Sequence, residues 1–189
     1  MGVNNRTASG AMLRDVDIRS SLEEWLVRLH AGDDSKIIHE LAIPRPSGRV
    51  DLAVINGRLA GFEIKSDVDG LGRLTRQSAC FSQVFEQMSL VVTKRHIKAA
   101  QDRVPDWWGL IEPYGQTFRV RRKPRLNKSL NIEKVLHILL RKELVAVERL
   151  LSTKPSPSAA LKTSIVGSLL ANHSKRKLLV AVREVLKER

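Results

Sequence analysis

Between Lys36 and Ser66 the chain alternates apolar and polar residues at period two, and Asn56-Gly57 divides the stretch. Side chains at that period point to opposite faces of a strand, and Asn-Gly between two such runs signals a hairpin. The pattern predicts three meandering strands over 36–43, 49–55 and 58–66, with Pro44-Arg45-Pro46-Ser47-Gly48 as the loop after the first. Alternation puts Ile38, Glu40 and Ala42 on one face, together with Asp51, Ala53 and Ile55 and with Gly61, Glu63 and Lys65. Ile37, Leu41, Val50, Leu52, Val54, Phe62 and Ile64 make the opposite face apolar.

This placement conflicts with the ideal hairpin. A two-residue Asn56-Gly57 turn pairs Ile55 with Arg58, hence Asp51 with Phe62, and sends Asp51 and Glu63 to opposite sides. A shared face requires one odd residue. A three-residue loop with Gly57 in the left-handed region supplies it, as does a bulge near Ala60-Gly61.

Period-3.6 patterning predicts a helix over 15–31, with Leu22, Trp25, Leu26 and Leu29 inward. After the meander, Asp69 is placed to cap a helix over 70–87 whose inner face is Leu74, Gln77, Phe81, Val84 and Phe85. A buried strand at 90–92, a short helix at 94–103 and strands at 108–111 and 117–122 follow. From Leu130 the apolar spacing is helical only, broken at Lys154-Pro155-Ser156-Pro157-Ser158, with further helices over 159–171 and 175–187. The fold expected is α/β: a mixed sheet flanked by helices over 1–125, then a basic, all-helical extension over 126–189.

Charge divides the chain at the same place. Residues 1–118 carry 15 Lys+Arg and 15 Asp+Glu; residues 119–189 carry 18 and 5, so the whole net charge of +13 lies in the last third. A neutral body with a basic tail points to a polyanionic partner. Cys80, the single cysteine, rules out an internal disulfide and suits a reducing compartment. No apolar run is long enough to span a bilayer, and residues 1–12 lack the apolar stretch of a secretion signal, so a cytoplasmic location is expected. The five histidines are scattered away from zinc-ligand spacing.

The acidic face carries the chemistry. A solvated charged face is the simplest reading of such a hairpin. Here the helix over 70–87 is expected to cover the sheet, and Ala42, Ala53, Ala60 and Gly61 leave room around the acids. Carboxylates are hard oxygen ligands for Mg²⁺ or Mn²⁺, and a divalent ion lowers the pKa of bound water and neutralises phosphate charge. Lys65 adds a fixed positive charge one alternation from Glu63.

Asp51 followed by Glu63-Ile64-Lys65 on adjoining strands, after a first helix, resembles the PD-(D/E)XK nucleases of restriction-endonuclease-like fold. The resemblance covers about residues 15–122. The pattern Glu63-Ile64-Lys65-Ser66-Asp67-x-Asp69, Arg73-Leu74-x-x-Gln77 and Pro105-Asp106-Trp107-Trp108-Gly109 also resembles an uncharacterised bacterial branch of that group. It implies that Asp51 and Glu63 hold metal with the Ile64 backbone oxygen, that Glu40 adds an upstream acid, and that Lys65 activates water or steadies the phosphate. Gln77, with Phe81 where the exonuclease-type branch has Tyr, would position Lys65 or the substrate. The motif's Pro position is Val50 here. The expected activity is Mg²⁺-dependent hydrolysis of DNA, with repair, recombination or defence against foreign DNA as settings.

Arg119, Arg121, Arg122, Lys123, Arg125 and Lys128 place six cations in ten residues, expected with Arg73 to contact phosphates, which fixes affinity rather than sequence. Lys175, Arg176 and Lys177 open a helix, an arrangement opposed by the helix dipole unless an anion binds there; a tolerated surface penalty explains them equally well. Trp107 and Trp108 are expected to close the core rather than stack on bases. Two other classes stay open: a non-catalytic DNA-binding module on the same fold, and a module docking a protein partner or a second copy through the C-terminal helices.

Overall fold

In the computed structural model, which describes residues 12–43, 48–151 and 154–189, α1 (Asp15–Leu29) precedes a meander of β1 (Lys36–Ile43), β2 (Gly48–Ile55) and β3 (Leu59–Lys65). The loop expected at Pro44-Arg45-Pro46-Ser47 and the polar N-terminal residues fall outside the described residues, Met12 excepted. Next come α2 (Leu74–Phe81), β4 (Gln87–Val92), α3 (Ile97–Gln101), β5 (Gly109–Tyr114) and β6 (Thr117–Arg122). Four helices end the chain: α4 (Ile132–His137), α5 (Arg141–Leu150), α6 (Lys162–Asn172) and α7 (Lys175–Lys187). The six strands form one sheet in sequence order. β3–β4 and β4–β5 are parallel and the other three pairs antiparallel, because α2 and α3 carry the chain back across one face.

The two sheet faces bury different partners. α1 brings Ile18, Leu22 and Leu26 onto Leu52, Val54, Phe62, Ile64, Val91 and Ile111. On the other face Leu74, Phe81 and Phe85 pack with Leu90 and Leu110, and the same cluster runs on through Leu136, Leu144, Leu169 and Val182 of the C-terminal helices. Trp108 is fully buried in it, stacked on Phe81, with its indole N–H donating to Ser82 Oγ at 3.1 Å, and Trp107 packs edge-on against it.

Polar ties fasten the helices to the sheet. Glu86 accepts the Leu59 N–H at 2.8 Å, and both its oxygens receive Arg183 of α7 at 2.9 and 3.0 Å. Asn127 donates to the Ser82 and Phe85 carbonyls at 2.6 and 2.9 Å. Such pairs orient buried elements, and removing one partner strands a buried charge.

Two expectations are corrected. The helix over 70–87 is only α2, Leu74–Phe81. Asp69 does not cap it: its carboxylate accepts from Ser66 N–H and Oγ–H at 2.7 and 2.5 Å, closing a turn directly after β3. At the other end Glu86 N–H donates to Leu59 O at 2.9 Å, so the chain has already joined the sheet. The apolar face is also smaller than alternation predicts. Leu41 and Val50 join the cluster with the C-terminal helices, away from Leu52 and Val54. Glu40 explains the break: it is the one non-glycine with positive φ among the described residues, at +52°, and the β1–β2 pairing skips it. One left-handed residue turns the rest of the strand over.

Because residues 130–186 complete the core that begins at β1, a chain ending at Arg125 is expected to lose its cooperative thermal transition, measured by circular dichroism. A sharp melt close to that of the full chain would show that the sheet folds without the helices.

Candidate active site

The β2–β3 hairpin has the odd residue that a shared face requires. Ile55 pairs with Leu59, leaving the three-residue loop Asn56-Gly57-Arg58, and Gly57 lies in the left-handed region at φ +86°. Only glycine adopts this without strain. The register Ile55↔Leu59, Val54↔Ala60, Ala53↔Gly61 and Leu52↔Phe62 ends one residue before Asp51, whose carboxylate meets β3 at the Ile64 N–H, next to Glu63. Gly61 is needed for a second reason: a Cβ there would lie 2.4 Å from Met88 Sδ.

Glu63 and Lys65 are both buried, at 2% and 7% exposure. Glu63 Oε1 accepts from Lys65 Nζ and from Gln77 Nε2, each at 2.6 Å. Gln77 comes from α2, so its reach to Glu63 depends on that helix lying over β3. The other carboxylate oxygen, Glu63 Oε2, is buried with no hydrogen-bond partner, and so is Gln77 Oε1. A buried acceptor without a donor costs roughly 1–3 kcal/mol. Burial pushes the Glu63 pKa from its ordinary 4.5 to about 7; Lys65 opposes the shift and the Asp51 charge adds to it.

Asp51 is held from two sides. Its Oδ2 accepts the Ile64 N–H at 2.7 Å and its Oδ1 receives Arg19 Nη2 at 2.7 Å. Burial raises its pKa, while the Ile64 N–H and Arg19 pull the other way. Arg19 is a residue that sequence reasoning leaves on the outer side of α1. Its guanidinium also meets Asp15 at 3.0 Å and Glu40 at 2.9 Å, and Nη1 donates to the Asp51 carbonyl at 3.1 Å. Burial works against its charge, but the bonds to Asp15 and Asp51 prevail and raise its pKa. The signal available in the sequence is its position next to Ile18 and three residues before Leu22, at the margin of the buried stripe.

The three acids therefore do not gather on one point. Glu40 is half-exposed and lies on Arg19 and on Arg49, the latter at 2.9 Å, because its left-handed backbone turns it out of the row that alternation assigns it. Among the described residues no group of three or more His, Cys, Asp or Glu side chains is arranged to hold a metal ion. Two acids remain adjacent, Asp51 and Glu63. Their carboxylate oxygens are hard donors of the type a divalent cation takes, and Glu63 Oε2 and Gln77 Oε1 are buried without a partner.

The cations expected to meet phosphate are spread over several surfaces. Arg73 is exposed at the start of α2. Arg119 lies over the Tyr114 ring at 3.8 Å, Arg121 pairs with the buried Glu112, and Arg122 donates to Trp108 O at 2.7 Å. Lys123 and Arg125 are exposed. Lys175 is committed to structure through Leu130 O at 2.7 Å, whereas Arg176 and Lys177 border a groove beside Leu150 and Val180. No helix among the described residues is long and apolar enough to cross a membrane.

The family model for bacteriophage P4 protein cII matches residues 9–189, and the chain belongs to that family. A relative from Enterobacteria phage P4, itself described as protein cII, is 34% identical over 137 residues, which is 70% of this chain and 52% of the relative. The chain thus spans about half the length of that curated relative. Among solved structures, the SPO1766 protein of unknown function from Silicibacter pomeroyi matches with a TM-score of 0.46 and 17% identity, over 74% of this chain and 92% of that one. Neither description names an activity.

The raised Glu63 pKa has a signed consequence. Between pH 4.5 and about 7 the folded state holds a proton on Glu63 that the unfolded chain has released, so this group's contribution to stability falls as pH rises through about 7. The loss is roughly 3 kcal/mol. In EDTA, the melting temperature of the wild type is expected to decline over that window, and Glu63→Gln to flatten the decline. Parallel profiles for the two proteins would refute the assignment.

Proposed function

We propose that this member of the bacteriophage P4 protein cII family is a metal-dependent nuclease that hydrolyses DNA phosphodiester bonds at Glu63, Lys65 and Asp51. The observation that carries the reading is the buried Glu63 carboxylate. One oxygen is fixed by Lys65 and Gln77, the other is left open, and Asp51 is bonded to the next residue, Ile64, close enough for its charge to act on Glu63. Nothing in packing requires a buried acid and a buried lysine to share a sheet face with a second acid. The resemblance to PD-(D/E)XK nucleases of restriction-endonuclease-like fold supports the same assignment, with Mg²⁺ or Mn²⁺ as cofactor.

Asp51, Glu63 and the Ile64 carbonyl would hold the ion, with Gln77 Oε1 beside them. Bound there, a divalent cation supplies a water of lowered pKa and neutralises charge on the phosphate. The chain's own residues do the rest. Gln77 and Lys65 keep Glu63 Oε1 engaged, so Oε2 faces the site in one orientation. Lys65 places a positive charge beside the phosphate under attack, in a setting dry enough for that charge to count. Arg19 and the Ile64 N–H fix the Asp51 carboxylate in place.

A second reading, a nucleic-acid-binding or protein-docking module that does not cut, draws support from Arg19, which already neutralises Asp51 and Glu40 from within. Supercoiled plasmid incubated with purified protein and Mg²⁺ or Mn²⁺ separates the two. The wild type is expected to nick or linearise it, and Lys65→Ala and Asp51→Ala to lower the rate by about 10²–10⁴-fold. Equal background cutting by all three proteins would leave the non-cutting module.

A further inference from the structure

We infer that the trough between α3, β5 and β6 seats the phosphodiester backbone of the nucleic acid strand that reaches Glu63; the link to Glu63 rests on the nuclease reading, the seat itself does not. The trough encloses about 550 Å³. Lys94, Arg95 and Lys98 form one wall, Arg121 and Arg122 the other, and no carboxylate lines it. Ile97 and Leu110 also line it, between these cations.

Three features distinguish it from an ordinary basic surface. Several long cations near the sheet are matched with acids: Arg19 with Asp15, Glu40 and Asp51; Arg183 with Glu86; Lys187 with Asp34. Lys94, Arg95 and Lys98 are exposed, lie close together in sequence in the turn before α3 and at its start, and take part in none of the ion pairs among the described residues. Like charges held together without a counter-ion are unfavourable until an anion arrives. Opposite them, Arg121 is held by the buried Glu112, and Arg122 by the Trp108 and Pro105 carbonyls, so that wall is fixed before anything binds.

Position supplies the third feature. Glu63 pairs with Leu90, Leu90 with Leu110 and Leu110 with Arg122, so the trough and Glu63 lie in one row on one sheet face. With strands about 4.8 Å apart, Leu110 is about 10 Å from Glu63, the rise of about three phosphates along a duplex strand. The cationic wall also begins directly after Thr93, whose N–H donates to Lys65 O at 3.3 Å. Leu90, between Leu110 and Glu63 in that row, is fully buried, so the trough and Glu63 are neighbours in register across a covered part of the sheet, and the trough recognises charge spacing rather than bases.

The test is binding in EDTA, where no cutting intrudes, read by fluorescence anisotropy on labelled single-stranded DNA, duplex DNA and RNA across a salt series. The triple variant Lys94→Glu, Arg95→Glu, Lys98→Glu is exposed throughout and is expected to fold. It should bind at least one of these probes more weakly by more than about tenfold near 0.1 M salt, and its log–log salt slope should shrink by about 2–3. The matched reversal Lys142→Glu, Arg149→Glu, Lys154→Glu, at exposed positions on and just after α5, should change both far less. Equal losses in the two triples, an unchanged slope in the first, no binding by the wild type, or equal competition by polyglutamate would each overturn the proposal. Trough-dependent binding without plasmid cutting would retain the seat and remove only the nuclease reading.

Discussion

Gly57, at φ +86°, adds one residue to the β2–β3 turn and so decides the face on which Asp51 lies relative to Glu63. A period-two element tolerates no partial shift: a slip of one residue exchanges the two faces entirely. With two loop residues Asp51 would stand opposite Phe62. With three, Phe62 pairs with Leu52 instead, and the Asp51 carboxylate meets β3 at the Ile64 N–H, next to Glu63.

The second constraint is burial. Glu63 and Lys65 are nearly inaccessible, and their ion pair is made at the expense of two hydration shells. A sheet selected for stability alone would place apolar residues of similar size there. The unpaired Glu63 Oε2 and Gln77 Oε1 point the same way, since a folded core satisfies its buried acceptors. The strain at Glu40 has a comparable reading. Its left-handed backbone brings a third carboxylate to Arg19, which then holds Asp15, Glu40 and Asp51 around one guanidinium. Arg19 thereby sets the orientation of Asp51 and neutralises the acidic side of the site.

The C-terminal helices contribute on two levels. Their apolar stripes finish the core beneath the sheet, and Arg183 reaches Glu86 to anchor β3 through Leu59. Their surplus charge is partly spoken for: Lys175, Arg183 and Arg189 are bound to carbonyls or acids of the protein. Lys94, Arg95 and Lys98, which make no ion pair among the described residues, come from the turn before α3 and from α3 itself, not from the basic tail.

Much of this was legible in the sequence because it depends on local periodicity. The α1 start, all of β1, both ends of β6 and the whole of α7 follow from alternation or helical spacing. The need for an odd residue at Asn56-Gly57 follows from the demand that two acids share a face. What the sequence could not decide is long-range. Leu41 and Val50 change sides because of one backbone angle at Glu40. α2 stops at Phe81 because Glu86 is already bonded to Leu59. Arg19 meets Asp51 only when α1 lies across β2. Local pattern determined where these strands and helices run; the face taken by Leu41 and Val50, the distance between side chains 32 positions apart, and which cation stands beside which acid, were set only when the elements packed.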